Sequence, residues 1–301
     1  MKINTYIITG FLGSGKTTLL NELIKLIPEQ VGIIENEFGK VNIDSSIIEK
    51  KYDYLFELTD GCLCCSLNGE LITTLHEIIK SEAPIKNLFI ETTGIADAGA
   101  LASIVKKSDI AAYYQLKNII CVVDCSQIEE QIKTIPEITR QIISSDLVIL
   151  NKTGNFDLIR KKINYLNPFC NCVQSDEKLF DPIWLTLEPQ KVNNFFRPIL
   201  QENESHKINS VLYESDQKFN LEIFRDRLQN LFFWYYHQVY RVKGYIKADD
   251  GTVYLVQTTG QEVFITIPKN EIKTKTQLVV IGKELELKTV DRIFNYAIVK
   301  K

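Results

Sequence analysis

Tyr6-Ile7-Ile8-Thr9-Gly10-Phe11-Leu12-Gly13-Ser14-Gly15-Lys16-Thr17-Thr18 decides how this chain is read. An apolar run gives way to a loop that fits G-x-x-x-x-G-K-[ST] at every required position, and Leu19 to Ile27 then follows with the apolar period of a helix. A strand, a glycine-rich turn and a helix N-terminus in that order make an anion site, because backbone N–H groups and the positive end of the helix dipole converge on one point. Gly10, Gly13, Ser14, Gly15, Lys16, Thr17 and Thr18 are the expected nucleotide-binding loop. Lys16 is placed to reach the β- and γ-phosphates, and Thr17 to offer its hydroxyl to Mg²⁺. The competing reading is a glycine-rich turn with a chance lysine.

Downstream of this loop, short apolar runs alternate with helical patterns. Val31 to Ile34, residues 54 to 58, Leu88 to Ile90, Asn118 to Val123 and Leu147 to Leu150 read as strands, and Leu67 to Ile79 as an amphipathic helix. Asn167 to Val173 reads as the last strand of the series. The fold class expected is α/β, a doubly wound, mostly parallel sheet over residues 1–205. From residue 206 to 301 the pattern changes. Strands at Ser210–Tyr213, Gln238–Lys247, Thr252–Thr259, Glu262–Ile267 and Gln277–Ile281, a turn at Asp250-Gly251, and helices at Leu221–Phe232 and Lys288–Asn295 form a smaller α+β domain of largely antiparallel strands.

With 301 residues, 45% apolar and 24% charged, the composition is that of an ordinary globular protein with room for two cores. A net charge of −3 and no basic run argue against a nucleic-acid partner or an anionic membrane surface. No apolar run approaches a membrane span, and the N-terminal apolar stretch is too short for a signal-peptide core. Seven cysteines, three of them in Cys62-Leu63-Cys64-Cys65, suit a reducing compartment, so a cytoplasmic protein is expected.

In parallel sheets ligands bind at the C-terminal ends of the strands, and the polar clusters fall there. Glu91, closing an apolar strand, is expected to hold Mg²⁺ directly or through water, the alternative being a surface carboxylate. Gly94 is placed like a glycine that senses a γ-phosphate, so Thr92 to Gly94 reads as a switch. Glu35 and Glu37 are candidates for orienting the attacking water or binding a second metal, or are simply solvated acids. Cys62, Cys64 and Cys65 supply three soft ligands and leave a fourth position open, which suits a transferred Zn²⁺ or another thiophilic metal. A buried structural cluster and a thiol relay are the rivals. Cys121 and Cys125 read as packing; Cys170 and Cys172 share a strand face in this reading and invite a metal, but no local histidine or glycine supports one and packing is the reading for them too. His76, His206 and His237 are scattered and form no cluster.

Taken together, GFLGSGKTTLLN at 10–21, IENEFGKVNID at 34–44, GCLCC at 61–65, IETTGIAD at 90–97, VVD at 122–124 and NKTG at 151–154 resemble the CobW-type GTPases, the CobW/HypB/UreG-related family of metal-insertion chaperones. Arg241 to Gly244 and Ile281-Gly282 resemble that family's small C-terminal domain, so the likeness covers nearly the whole chain. The resemblance implies catalytic roles for Lys16, Glu37, Glu91 and Gly94, a transferred-metal site at Cys62, Cys64 and Cys65, and magnesium at Thr17 and Glu91. It also implies guanine recognition by Asn151 and Lys152. GTP, Mg²⁺ and Zn²⁺ or Co²⁺ are the implied cofactors. A client metalloprotein is the implied partner, with a homodimer left open.

Two departures stand out. The chain has no histidine-rich stretch, and Gly154 stands where the family's Asn-Lys-x-Asp motif has aspartate. Asn155 is the nearest substitute, then Asp157, and restoring aspartate at 154 is expected to widen the preference for GTP over ATP. The function expected is a GTP-hydrolysing metallochaperone. The alternatives are an ATPase or phosphotransferase with structural cysteines, and a thiol redox-sensing scaffold.

Overall fold

The computed structural model describes residues 2–27, 30–35, 54–57, 66–175, 182–187, 208–234, 238–260, 262–268 and 275–299. Two compact units emerge: Met1–Arg160 with Cys170–Pro189, and Lys161–Phe169 with Gln190–Lys301. The junction expected at residues 205 and 206 lies outside the described residues.

The first unit runs β1 (Ile3–Thr9), α1 (Lys16–Leu26), β2 (Val31–Glu35), β3 (Tyr54–Glu57), α2 (Ser66–Lys80), β4 (Asn87–Glu91), α3 (Ala98–Val105), α4 (Ser108–Ala111) and β5 (Tyr114–Asp124). It continues through α5 (Ile128–Thr134), α6 (Pro136–Ser144), β6 (Leu147–Asn151), α7 (Phe156–Leu166, of which the residues from Lys161 onward belong to the second unit), β7 (Asn171–Gln174) and a 3₁₀ turn at Pro182–Thr186. The strands pair in the order β3-β2-β4-β1-β5-β6-β7, every pair parallel. Side chains of a strand alternate between faces, and β1 uses both. Tyr6 and Ile8 pack with Leu19, Leu20, Leu23 and Ile24 of α1, whereas Ile7 packs with Leu71 and Leu75 of α2 and Leu101 of α3. A sheet covered on both faces must be apolar along its strands, which is why Leu88-Phe89-Ile90 and Leu147 to Leu150 are fully buried runs. The doubly wound parallel sheet read from the sequence is therefore the observed one. Strand order reverses beside β1, and the phosphate loop leaves its C-terminal end there.

One strand differs from its reading. Residues 167–170 are a turn, and β7 begins only at Asn171. Asn167 closes α7 through its N–H to the Ile163 carbonyl (2.7 Å), its side-chain oxygen accepts the Phe169 N–H (3.1 Å), and Pro168 has no N–H for a ladder. Cys170 and Cys172 consequently do not share a strand face.

The second unit holds an antiparallel sheet ordered β11-β10-β9-β12-β8, from β8 (Ile208–Ser215), β9 (Val239–Lys247), β10 (Val253–Thr259), β11 (Glu262–Thr266) and β12 (Thr276–Lys283). Helices α8 (Leu221–Trp234) and α9 (Leu287–Asn295) contribute to its core, where Tyr213 meets Phe219 and Phe294 edge-on, and Phe224 meets Phe219 edge-on and Phe294 at a tilt. The turn joining β9 to β10 is closed by the Gly251 N–H on the Ala248 carbonyl (3.0 Å).

Candidate nucleotide site

The loop from Gly10 to Gly15 has positive φ at Gly10 (142°), Gly13 (74°) and Gly15 (105°), which side chains disfavour. Space forbids a Cβ as well: at Gly10 it would lie 2.3 Å from the Val122 carbonyl oxygen, and at Gly15 2.4 Å from the Asn151 amide nitrogen. Lys16 is buried and folds back over the loop, its ammonium donating to the carbonyls of Gly10 (3.0 Å) and Phe11 (3.3 Å). Ser14 Oγ is buried with no hydrogen-bond partner among the described residues. A buried hydroxyl left so costs about 1–3 kcal/mol, and an anion in the loop is an acceptor that would relieve it. Thr18 is exposed one position beyond Thr17.

The Thr17 hydroxyl donates to Glu91 Oε1 at 2.8 Å. A hydroxyl beside a buried carboxylate is the oxygen donor set that hard Mg²⁺ favours, and with the cradle and the Ser14 hydroxyl it fits a magnesium nucleotide. Glu35 closes β2 in register with Glu91 of β4 and is half-buried. After Glu91 the chain is pinned at both ends. The Thr92 N–H reaches the Ile8 carbonyl (2.9 Å) and its hydroxyl the Thr9 hydroxyl (3.1 Å), while Asp97 caps α3 by accepting from Gly99 (2.8 Å) and Ala100 (3.2 Å). Between these pins Gly94 lies against the phosphate loop so closely that a Cβ there would stand 2.7 Å from the Leu12 nitrogen. Gln141 of α6, which sequence reasoning missed, donates its side-chain amide to the carbonyls of Gly94 (3.0 Å) and Ala96 (3.4 Å). The available signal was a polar residue at a core position: α6 buries Ile138, Gln141 and Ile142, the i, i+3, i+4 face of the helix.

At the other end of the site the Asn151 amide donates to the Ser14 carbonyl (2.8 Å) and so joins the two loops. Lys152 has left-handed φ (61°) and places its ammonium 2.7 Å from Asp124 Oδ2. Burial pushes the Asp124 carboxyl up, but the Lys152 ammonium and the Ser126 hydroxyl and N–H outweigh it and hold it below its ordinary value. Gly154 packs on Cys125, where a Cβ would be 2.7 Å from the carbonyl oxygen and 3.0 Å from the carbonyl carbon. Asn155, the expected substitute acceptor, uses its side-chain oxygen to cap α7 at the Leu158 N–H (3.2 Å). Asp157 is exposed and pairs with Arg160 at 3.6 Å.

Glu37, Cys62, Cys64 and Cys65 lie outside the described residues, as do His206 and His237. Cys121, Cys125, Cys170 and Cys172 are free of disulfides. Burial pushes the thiols of Cys121 and Cys125 up to about 12 and that of Cys172 to about 11, so without a metal they are neutral near pH 7 and weak nucleophiles. No described helix is long and apolar enough to cross a membrane.

Comparison with known proteins bears on this geometry. Residues 4–171 match "CobW/HypB/UreG, nucleotide-binding domain", and residues 208–298 match "Cobalamin synthesis protein cobW C-terminal domain". This chain belongs to the CobW/HypB/UreG family. Among its relatives, the "Zinc chaperone YjiA" of Escherichia coli is 28% identical over 81% of this chain and 81% of its own length. The "Zinc-regulated GTPase metalloprotein activator 1" of Schizosaccharomyces pombe is 27% identical over 88% of this chain and 77% of its own. In fold, the chain is similar to the crystal structure of Zn(II)-bound YjiA GTPase from E. coli, with a TM-score of 0.72 and 21% identity over the full length of both. The family match places the phosphate loop, the Glu91–Asp97 segment and Asn151 within one nucleotide-binding domain.

Proposed function

We propose that this chain is a cytoplasmic GTPase metallochaperone that couples GTP binding and hydrolysis to the loading of zinc and its delivery to a client metalloprotein. The observation that carries this reading is order along the chain. The cysteines at 62, 64 and 65 stand between the Glu35–Gly39 stretch and the Glu91–Gly94 switch, directly before α2, inside a matched nucleotide-binding domain. Relatives named as zinc chaperones and zinc-regulated GTPases support the choice of zinc over cobalt.

Lys16 exchanges the carbonyls of Gly10 and Phe11 for phosphate oxygens, and the loop N–H groups hold the anion in place. Thr17 and Glu91 would hold Mg²⁺, whose charge would offset that developing on the phosphates during transfer. Gly94, against Leu12, senses the γ-phosphate, and Glu37 orients the attacking water. Asn151 and Lys152 receive the base. With Gly154 in place of a carboxylate, and Asn155 and Asp157 otherwise engaged, GTP is preferred over ATP by a smaller margin than in relatives with the full motif.

Zinc affinity measured against a chelating dye in the nucleotide-free, diphosphate and triphosphate-analogue states tests this. One zinc per chain, lost on Cys64→Ser, with affinities that differ between nucleotide states by about 5- to 150-fold, is the expected result. Equal affinities in all three states would remove the coupling from the proposal.

A further inference from the structure

We propose that Gln141 is a positioning residue for the nucleotide switch: its side-chain amide holds the Gly94–Ala96 backbone against the phosphate loop and thereby sets how strongly the protein prefers triphosphate to diphosphate. This rests on the GTPase reading and assigns it a residue of α6 that no phosphate-binding motif contains.

Thr92 and Asp97 are fixed by β1 and α3, so rearrangement between them must pass through residues 93–96. Within that span, the Gly94 and Ala96 carbonyls accept from one buried nitrogen, at 3.0 and 3.4 Å. A single amide therefore restrains two peptide planes, one of them belonging to the glycine packed on Leu12. Gln141 is 2% exposed on a helix whose other buried residues are Ile138, Thr139, Ile142 and Ile143. Its Oε1 is buried with no hydrogen-bond partner among the described residues, a destabilising arrangement that an apolar side chain of similar volume would not have. An amide that burdens the helix core while gripping the switch is explained by what it grips. Gly94 and Ala96 are only half-buried, so water can take over both carbonyls when the amide is removed.

The experiment compares the full-length parent with Gln141→Met and Gln141→Glu. It measures the affinities for a fluorescent GDP and a non-hydrolysable GTP analogue with Mg²⁺, together with the thermal midpoint. Methionine conserves volume and removes the donors; glutamate conserves shape and offers carboxylate oxygens to two carbonyls. Loss of two neutral hydrogen bonds corresponds to a fall of about tenfold in the triphosphate-to-diphosphate preference, with GDP affinity kept and the Gln141→Met midpoint equal to the parent's or higher. A preference unchanged within twofold overturns the proposal, as does equal loss of both nucleotides or failure of both variants to fold, each of which assigns Gln141 to structure alone. A parent that binds neither nucleotide overturns the GTPase reading itself, and this proposal with it.

Discussion

Replacing Gly154 by aspartate sets a Cβ 2.7 Å from a backbone oxygen of Cys125, a group that cannot swing away as a side-chain tip can. The substitution that sequence reasoning expects to widen the GTP preference is therefore expected to cost about 1–3 kcal/mol of stability as it widens the GTP-to-ATP ratio, by parallel denaturation and binding measurements. Lys16→Ala behaves differently. It removes the loop's cation and two hydrogen bonds to carbonyls, so hydrolysis is abolished while the far-ultraviolet spectrum is kept; hydrolysis at the parental rate would place the chemistry elsewhere. At Asp124 the folded carboxyl is held below its ordinary value of 3.8. A lowered folded value stabilises the protein at pH above 3.8, and that contribution is lost as pH falls through the lowered value. Urea titrations of parent and Asp124→Asn should accordingly differ at pH 7 and converge in acid.

Elements show where sequence reading reaches and where it stops. Leu88-Phe89-Ile90 and Leu147 to Leu150 were legible because a strand buried on both faces has to be apolar at every position, and α1 because a helix must follow a phosphate loop. Asn167 to Cys170 was misread as strand because Phe169 and Cys170 are as buried as strand residues, although a local side-chain turn holds them. The Gln141 contact with Gly94 and the Lys152 pair with Asp124 join residues 47 and 28 positions apart, and no local periodicity encodes them. Asn155 shows two local signals in competition, a place near the base motif and a place at the start of α7, where the helix's orphan N–H groups take its oxygen. Helix α3 offers a test of such capping. Asp97→Ala leaves the Gly99 and Ala100 N–H groups without their acceptor and should cost about 1 kcal/mol by urea denaturation, which moves residue 97 and the switch beside it toward fraying.

Each unit has its own apolar core. Among the described residues, the clusters around Leu23 and Leu75 draw on residues 3–187, and the cluster around Phe224 on residues 211–298. Cores that share no side chain melt as separate cooperative units, so calorimetry should resolve two transitions. Since a ligand stabilises only the fold that binds it, GDP with Mg²⁺ at a hundred times its dissociation constant should raise one transition by about 2.7 kcal/mol and leave the other in place. A single transition that shifts as a whole would show that the two unfold together.

The hydrogen bond from Asn151 to the Ser14 carbonyl spans 137 residues of sequence. At about 5–20 residues per second a ribosome needs on the order of ten seconds to travel from one to the other, and the loop leaves the exit tunnel that much earlier than its partner. A nascent chain stopped before β6 carries the whole phosphate-binding motif and lacks the amide that ties it down, so the loop gains that tie only once β6 has been made.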